Sequence, residues 1–188
     1  FNRRFAQLVR HMSELLRPLD GPMSMVMTIN AGPIPSDHWT QDPKVGGGRI
    51  VGEACHFIDL LRFFAKSPII ESESAVMDQG DRDSASMVLR FENESIGTVN
   101  YFANGHKGLP KERLEIFRQG RVLMLDNFRR LSVYGWGRRD SRRLLRQDKG
   151  QQEMMLCFTE ALRQGNGPPI PFREIEEVMK VTIELAAG

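Results

Sequence analysis

Several features that would point to a membrane, secreted or nucleic-acid-binding protein are missing from this sequence. No apolar run approaches the ~20 residues that span a bilayer, and no signal peptide is visible at the start. The two cysteines, Cys55 and Cys157, lie in apolar-patterned segments, so we expect reduced core thiols in a cytoplasmic protein. A formal net charge of +2 does not require a nucleic-acid or membrane partner.

The composition that remains is that of a folded domain. The chain has 188 residues, of which 40% are hydrophobic and 27% charged, which is enough for one domain with a core spanning residues 1–188. It begins with Phe1 rather than Met, and we therefore expect it to belong to a longer protein.

The periodicity of apolar residues predicts an α+β fold. A spacing of three and four residues predicts helices at 5–16, 49–65, 150–163 and 172–187. Short apolar runs, most of them with a period of two, predict strands at 23–31, 86–91, 96–102, 113–117, 122–125 and 131–134. Consecutive hairpins predict a largely antiparallel, open-faced sheet with helices on one face. We expect a second copy of the chain to cover the other face.

Gly46, Gly47 and Gly48 precede the second predicted helix, and Gly52 lies in its first turn. Gly46, Gly48 and Gly52 have a spacing close to that of a dinucleotide fingerprint, but they follow a proline-rich loop instead of a buried strand. Two interpretations remain open. The glycines allow a sharp bend into the helix, or they bring the backbone close to a ligand held by another domain. Free N–H groups at this helix start would then suit an anion.

The same helix carries a histidine between two carboxylates. Glu53, His56 and Asp59 are three residues apart, which permits a surface stripe of paired side chains, a metal site or an acid–base site. A Glu-x-x-His metal site needs a second copy, which the chain lacks, so no metal is expected. An imidazole can exchange a proton near neutral pH. Gly52 leaves space beside the ring, which favours acid–base catalysis.

The stretch from Gly46 to Leu60 resembles the helix motif of the glucose–fructose oxidoreductase / inositol dehydrogenase / MocA-like family. That motif runs Gly-Gly-Gly, a short apolar stretch, then His-x-x-Asp-Leu. His38, Trp39 and Asp42 fit the loop before it, and the order of elements fits the C-terminal α/β domain of the family. The resemblance therefore covers nearly the whole chain.

The resemblance implies an NAD(P)-dependent oxidoreductase that acts on a sugar, cyclitol or sugar nucleotide. NAD or NADP would be bound mainly by an N-terminal dinucleotide-binding domain that this chain lacks, and that domain would also supply a lysine. His56 matches the catalytic histidine, which helps to deprotonate the hydroxyl, and Asp59 matches the aspartate that orients the helix. The expected substrate contacts are Glu53, Gly52, Asn30, His38 and Asn104, and the expected cofactor contacts are Trp39, Gly47 and Gly48.

Two points bear on activity. Many members of the family carry an acid four residues before the histidine, where this chain has Gly52; Glu53 is then turned by ~100° on an α-helix. This departure favours an alternative, a non-catalytic module that only pairs subunits. The chain alone is expected to be inactive because the cofactor domain is missing. In the catalytic hypothesis, His56, Glu53 and Trp39 line one cleft.

A basic segment near the end of the predicted sheet offers a further interpretation. Its arginines surround Tyr134 and Trp136, a combination that can bind nucleic acid. With a net charge of only +2, nucleic-acid binding is not expected, and an anionic substrate such as a nucleotide-linked sugar is the better use of this cluster. The arginines are Arg129, Arg130, Arg138, Arg139, Arg142, Arg143 and Arg146.

Overall fold

A single eight-stranded sheet, in the order β2-β3-β4-β1-β5-β6-β7-β8, organises the computed structural model, which describes residues 1–35, 37–42, 44–77, 83–136 and 140–187. The strands are β1 Ser24–Asn30, β2 Ile69–Met77, β3 Ser84–Phe91, β4 Ile96–Phe102, β5 Glu112–Arg118, β6 Arg121–Asp126, β7 Arg130–Tyr134 and β8 Arg142–Arg143. The α-helices are α1 Gln7–Leu16, α2 Cys55–Ala65, α3 Gln151–Gln164 and α4 Phe172–Ala187.

The sheet is mixed but largely antiparallel, as predicted. Strand β1 runs parallel to β4 and antiparallel to β5, and every other neighbouring pair is antiparallel. The parallel pair arises because the chain leaves β1, passes through α2 and the hairpins of β2, β3 and β4, and returns beside it. The carboxyl ends of β1 and β4 therefore lie side by side, next to the start of β5.

The structure adds two strands that the periodicity did not predict. Strand β2 has an outer face with Glu71 and Glu73, and the two-residue β8 lies in the basic segment that was expected to be a loop. Both form the edges of the sheet, where one side of the strand has no neighbour. Edge strands need few apolar residues, so their sequence signal is weak.

One face of the sheet forms the core with the helices. On β1, Met25, Met27 and Ile29 are buried, and they alternate with half-buried residues of the open face. Helix α2 packs closely against β4 at Gly97, where a Cβ atom would lie 2.8 Å from Leu61 Cδ1. A side chain at position 97 would push the helix off the sheet, so glycine permits this contact.

The helix predicted for residues 49–65 begins differently from the expectation. Residues Ile50–Ala54 form a π turn, and regular α-helix begins only at Cys55. A π turn closes i→i+5 hydrogen bonds and so takes one residue more than an α-turn. The expectation of a single α-helical stripe through Glu53 and His56, with a rotation of ~100° per residue, is therefore wrong for the first turn.

The two cysteines differ in their surroundings. Cys55 is buried, as predicted, but Cys157 lies on α3 and is only partly buried, so its assignment to the core is wrong. Helix α3 has no buried residue, because its main contacts are with the chain start rather than with the sheet. Both thiols are free. No helix in the described part of the chain is both long and apolar enough to cross a membrane.

Candidate functional site

The loop before the π turn is folded by its glycines. Gly47 and Gly48 have φ angles of 68° and 84°, in the left-handed region that favours glycine. A Cβ on Gly46 would lie 2.4 Å from Thr40 Cα, so the loop closes tightly on itself. The amides of Gly46 and Gly47 donate to the Asp42 carbonyl at 2.8 and 3.2 Å. The bend is thus present, and these two amides are not free for an anion; a cofactor contact at Gly48 stays a prediction.

Glu53, on the π turn, is held by Tyr101 of β4 and by Lys111, the residue before β5. Its carboxylate accepts a hydrogen bond of 2.5 Å from Tyr101 Oη and another from Lys111 Nζ. Burial acts to raise the pKa of Glu53, but the hydrogen bonds from Lys111 and Tyr101, with the charges of Lys111 and Arg49, bring it below its ordinary value. The carboxylate is therefore ionised at neutral pH and acts as an acceptor rather than as an acid.

Asn30 positions the segment that carries Lys111. Its backbone N–H donates to the Lys111 carbonyl at 2.8 Å, at the point where β5 begins beside β1. Its side-chain amide donates to the carbonyls of His106 and Leu109 at 2.8 and 3.1 Å. These bonds tie the 103–111 segment to the end of β1. A substrate contact of Asn30 stays a prediction, since its amide nitrogen already has two partners in the chain.

His56 lies on α2, three residues after Glu53. Its ring is half-buried and contacts Phe1 edge-on, with centroids 5.6 Å apart. Its buried Nδ1 has no hydrogen-bond partner among the described residues. Burial and the positive charge of Arg3 lower the pKa of His56 to about 4, against the opposing charge of Glu53. The imidazole is therefore neutral at pH 7 and able to accept a proton.

The second carboxylate of the motif has a different environment. Asp59 is fully buried, and its two oxygens accept hydrogen bonds from Arg4 at 2.5 and 3.0 Å. Arg4 also pairs with Glu174 of α4 at 2.8 Å. Burial raises the pKa of Asp59 to about 6, although Arg4 acts in the opposite direction. The simple surface stripe is therefore wrong, and these contacts agree with an aspartate that orients the helix.

Other predicted site residues lie apart from this cluster. His38 Nδ1 accepts from the Thr40 amide at 3.3 Å and caps a 3-10 turn, Trp39–Gln41. Trp39 is 63% exposed, with its ring centroid 5.9 Å from that of His38. Asn104 is exposed, with its amide 4.0 Å from Met77 Sδ. Among the described residues, no hydrogen bond, ion pair or ring contact joins these side chains to His56. The cleft that His56 would share with Trp39 stays a prediction.

Gly52 leaves the space that the sequence predicted. A Cβ atom at this position would have the Gly46 carbonyl oxygen as its nearest neighbour, at 4.0 Å. The helix therefore has room for a ligand beside this residue, and its role as a substrate contact stays a prediction.

Sequence reasoning missed three side chains of the cluster, namely Lys111, Tyr101 and Arg49. Lys111 is 58 positions from Glu53, and only the pairing of β5 and β4 with β1 brings it close. Arg49 donates to the Gly32 carbonyl at 2.7 Å, and its guanidinium lies 5.4 Å from the Tyr101 ring centroid. One signal in the sequence was usable. Lys111 stands just before the predicted strand 113–117, and a residue at the start of a strand lies at the end of the sheet.

Within the described residues, neither the basic segment nor a metal site contributes to this cluster. Arg142 and Arg143 form the exposed strand β8, while Arg138 and Arg139 lie outside the described residues. Within the described ranges, no group of three or more His, Cys, Asp or Glu side chains is placed to hold a metal ion.

Comparisons with known proteins identify the family. Residues 21–121, more than half of the chain, match the family model described as the GFO/IDH/MocA C-terminal domain, and the chain belongs to that family. The predicted resemblance is confirmed. A comparison with curated proteins found no match.

Solved structures share the fold at low sequence identity. UDP-N-acetylglucosamine 3-dehydrogenase GnnA from Acidithiobacillus ferrooxidans has a TM-score of 0.78 and 14% identity, covering 98% of this chain and 58% of that chain. An oxidoreductase domain protein from Kribbella flavida has a TM-score of 0.78 and 16% identity, covering 99% and 61%. The dehydrogenase MviM from Clostridium difficile has a TM-score of 0.73 and 15% identity, covering 98% and 59%. The chain thus spans about three fifths of these relatives.

Proposed function

We propose that this chain is the substrate-binding domain of an NAD(P)-dependent oxidoreductase acting on a hydroxyl of a sugar, cyclitol or sugar nucleotide. The observation that carries the proposal is that His56 and Glu53, three residues apart, have different protonation states. His56 is neutral, half-buried and has an unpartnered Nδ1, while Glu53 is ionised. The first suits a proton acceptor, and the second suits a hydrogen-bond acceptor for substrate hydroxyls.

The chemistry assigned to this chain is proton transfer and orientation. His56 takes the proton of the reacting hydroxyl, and Glu53 accepts a hydrogen bond from a neighbouring hydroxyl. The nicotinamide, when bound, accepts or returns the hydride. Because the amides of Gly46 and Gly47 are already bonded to Asp42, the glycine segment offers little to a pyrophosphate. We therefore assign most cofactor binding to a separate N-terminal dinucleotide-binding domain, with Trp39 and Gly48 at its edge.

The class of substrate is supported indirectly. One solved relative is named for UDP-N-acetylglucosamine, which makes sugar nucleotides a reasonable first set of test compounds. Arg142 and Arg143 are exposed but lie outside the cluster, so their use for the anionic part of such a compound stays a prediction. Without the cofactor domain, the chain itself is expected to be inactive.

The test is hydride transfer by the full-length protein with His56→Asn. We expect kcat to fall by about 10²- to 10⁴-fold, the usual contribution of a general base, in a variant that remains folded. His11→Asn is the matched control, because His11 is part-buried on α1 and bonds to the Asp140 carbonyl at 3.2 Å instead. Turnover of His56→Asn at the wild-type rate would exclude the proposal.

The open face of the sheet supports a second candidate, a non-catalytic module that pairs subunits. Val88, Ile96 and Phe117 are 49%, 51% and 42% exposed on this face, on strands β3, β4 and β5. In either case we propose that two copies associate through it. Ile96→Glu should then give monomers in light scattering, and a wild-type chain that is already monomeric would contradict this association. The pure module further predicts that His56→Asn changes nothing.

A further inference from the structure

The Glu53 carboxylate has a cationic partner that neither the motif nor the family comparison assigns. Lys111 precedes β5, and its ammonium group pairs with Glu53 Oε1 while Tyr101 bonds to Oε2. Three elements thus meet at one carboxylate: the π turn, the end of β4 and the start of β5. The position of Lys111 is fixed in turn by the bond from the Asn30 amide to its carbonyl at 2.8 Å.

The pair is incomplete in a way that leaves room for a ligand. The Lys111 and Glu53 side chains are 38% and 25% exposed, so both reach solvent. An ammonium group has three donors, and a carboxylate has about four acceptor positions. Among the described residues, Lys111 makes one side-chain hydrogen bond, to Glu53, and Glu53 accepts two. Donor and acceptor capacity therefore remain side by side.

The π turn connects this pair to the missing acid of the motif. Position 52 is Gly and contributes no carboxylate, and a Cβ there would have no atom closer than 4.0 Å. The extra residue of a π turn changes the direction of the next side chain relative to an α-helix. In this direction Glu53 contacts Tyr101 and Lys111. The start of the helix therefore carries an acid, one position after the motif position that Gly52 occupies.

We propose that Lys111 is a substrate-positioning residue that, together with Glu53, forms a donor–acceptor pair for two adjacent oxygens of an uncharged polyol edge. The carboxylate accepts from one hydroxyl, and the ammonium donates to the next oxygen. The proposal rests on the proposed function, which it deepens by naming the contact that selects the substrate.

The charge of the pair sets its preference. One cation and one anion sum to zero, so a hydroxyl-bearing edge can bind without displacing either group. A carboxylate or phosphate at the same point would face the ionised Glu53 and would compete with it for Lys111. The other ionisable groups around Glu53 are Arg49 and His56 on its own segment and Tyr101 of β4, with Asp83 paired to Arg49 at 3.6 Å.

The experiment compares Lys111→Met and Lys111→Arg in the full-length protein, with myo-inositol and UDP-N-acetylglucosamine as probes. For the probe that is turned over, we expect Lys111→Met to raise KM by about 10- to 100-fold, the usual effect of losing a charge-assisted hydrogen bond. The acidic limb of kcat/KM should move to higher pH, because Glu53 loses its cation. Lys111→Arg should restore both in part.

A second measurement does not depend on turnover. In protein labelled with ¹³C at glutamate, the Glu53 carboxyl signal should titrate at higher pH in Lys111→Met than in wild type. Lys107→Met is the matched control, since Lys107 is an exposed lysine of the same 103–111 segment. It should leave KM, the pH profile and the Glu53 titration unchanged.

The outcomes separate this inference from the function on which it rests. An unchanged KM or an unchanged Glu53 titration in Lys111→Met, alongside a large loss in His56→Asn, overturns the role of Lys111 and keeps the oxidoreductase. Wild-type turnover that is insensitive to His56→Asn overturns the proposed function and with it the substrate contact. A raised KM, a shifted titration and partial rescue by Lys111→Arg support the proposal.

Discussion

Two carboxylates six positions apart, Glu53 and Asp59, differ in their burial and in the cation that pairs with them. Asp59 is fully buried and has both oxygens bonded by the guanidinium of Arg4. Glu53 has a partly exposed side chain and a lysine as its cationic partner. Arginine holds a carboxylate in a fixed two-point geometry, whereas lysine is a flexible point charge. The buried Asp59–Arg4 pair stabilises the fold. We propose that the partly exposed Glu53–Lys111 pair binds a ligand.

The clamp around Asp59 joins three parts of the chain. Arg4 precedes α1, Asp59 lies on α2, and Glu174 lies on α4. Close by, Arg62 of α2 bonds to Glu177 of α4 at 2.9 Å. These pairs fix the helix that carries His56 against its neighbours. The Arg4 and Arg62 pairs thus set the orientation of the helix from which His56 projects.

The largest expected effect comes from breaking the clamp. Arg4→Met leaves Asp59 buried without its cation, and we expect a loss of about 3–5 kcal/mol in the free energy of unfolding. In the variant, the pKa of Asp59 in the folded protein rises further above its unfolded value. A raised folded pKa means that the folded variant loses stability as the pH rises above the unfolded pKa of Asp59. The decrease in the free energy of unfolding should therefore be greater at pH 8 than at pH 5. Urea denaturation at both values measures this.

The control for that variant is Arg10→Met. Arg10 forms a 2.5 Å pair with Glu153, but both side chains are well exposed, so the expected change is at most about 1 kcal/mol. Equal effects of the two substitutions would remove the distinction between the buried clamp and a surface ion pair.

A smaller effect concerns His56 and pH. Its folded pKa of about 4 lies below the ordinary value of 6.5, so the unfolded state binds more protons between these values. The stability contributed by neutral His56 is present above pH 6.5 and is lost as the pH falls toward 4. At ~1.4 kcal/mol per pH unit the loss is at most about 3 kcal/mol.

Urea denaturation of wild type and His56→Asn between pH 4.5 and 7.5 checks this expectation. The groups facing His56 are Arg3 near the chain start, Glu53 on the π turn and Glu112 of β5. The difference between the two proteins should grow as the pH rises. A constant difference would mean that His56 is not held neutral by its surroundings.

The sequence anticipated most of the sheet and the helix that carries His56, for physical reasons. Hairpin strands such as β3 and β4 carry a clear period of two, and the stripe ending at Phe64 carries helical spacing. The apolar periodicity did not predict the edge strand β2, because its polar residues face solvent. The π turn was not predicted, and its Glu53 contacts Tyr101 and Lys111, which are 48 and 58 positions away and which no local pattern encodes. Lys111 escaped for the same reason.

The most direct test of the account exchanges each carboxylate for its amide and measures two quantities in the full-length protein. Glu53→Gln should lower kcat/KM by about 10- to 100-fold and change the free energy of unfolding by less than about 1 kcal/mol. Asp59→Asn should instead lower the free energy of unfolding by about 2–4 kcal/mol, since the buried Arg4 loses its nearest anion. If Glu53→Gln destabilises the protein as much as Asp59→Asn and leaves turnover intact, the division between a structural and a functional carboxylate is wrong.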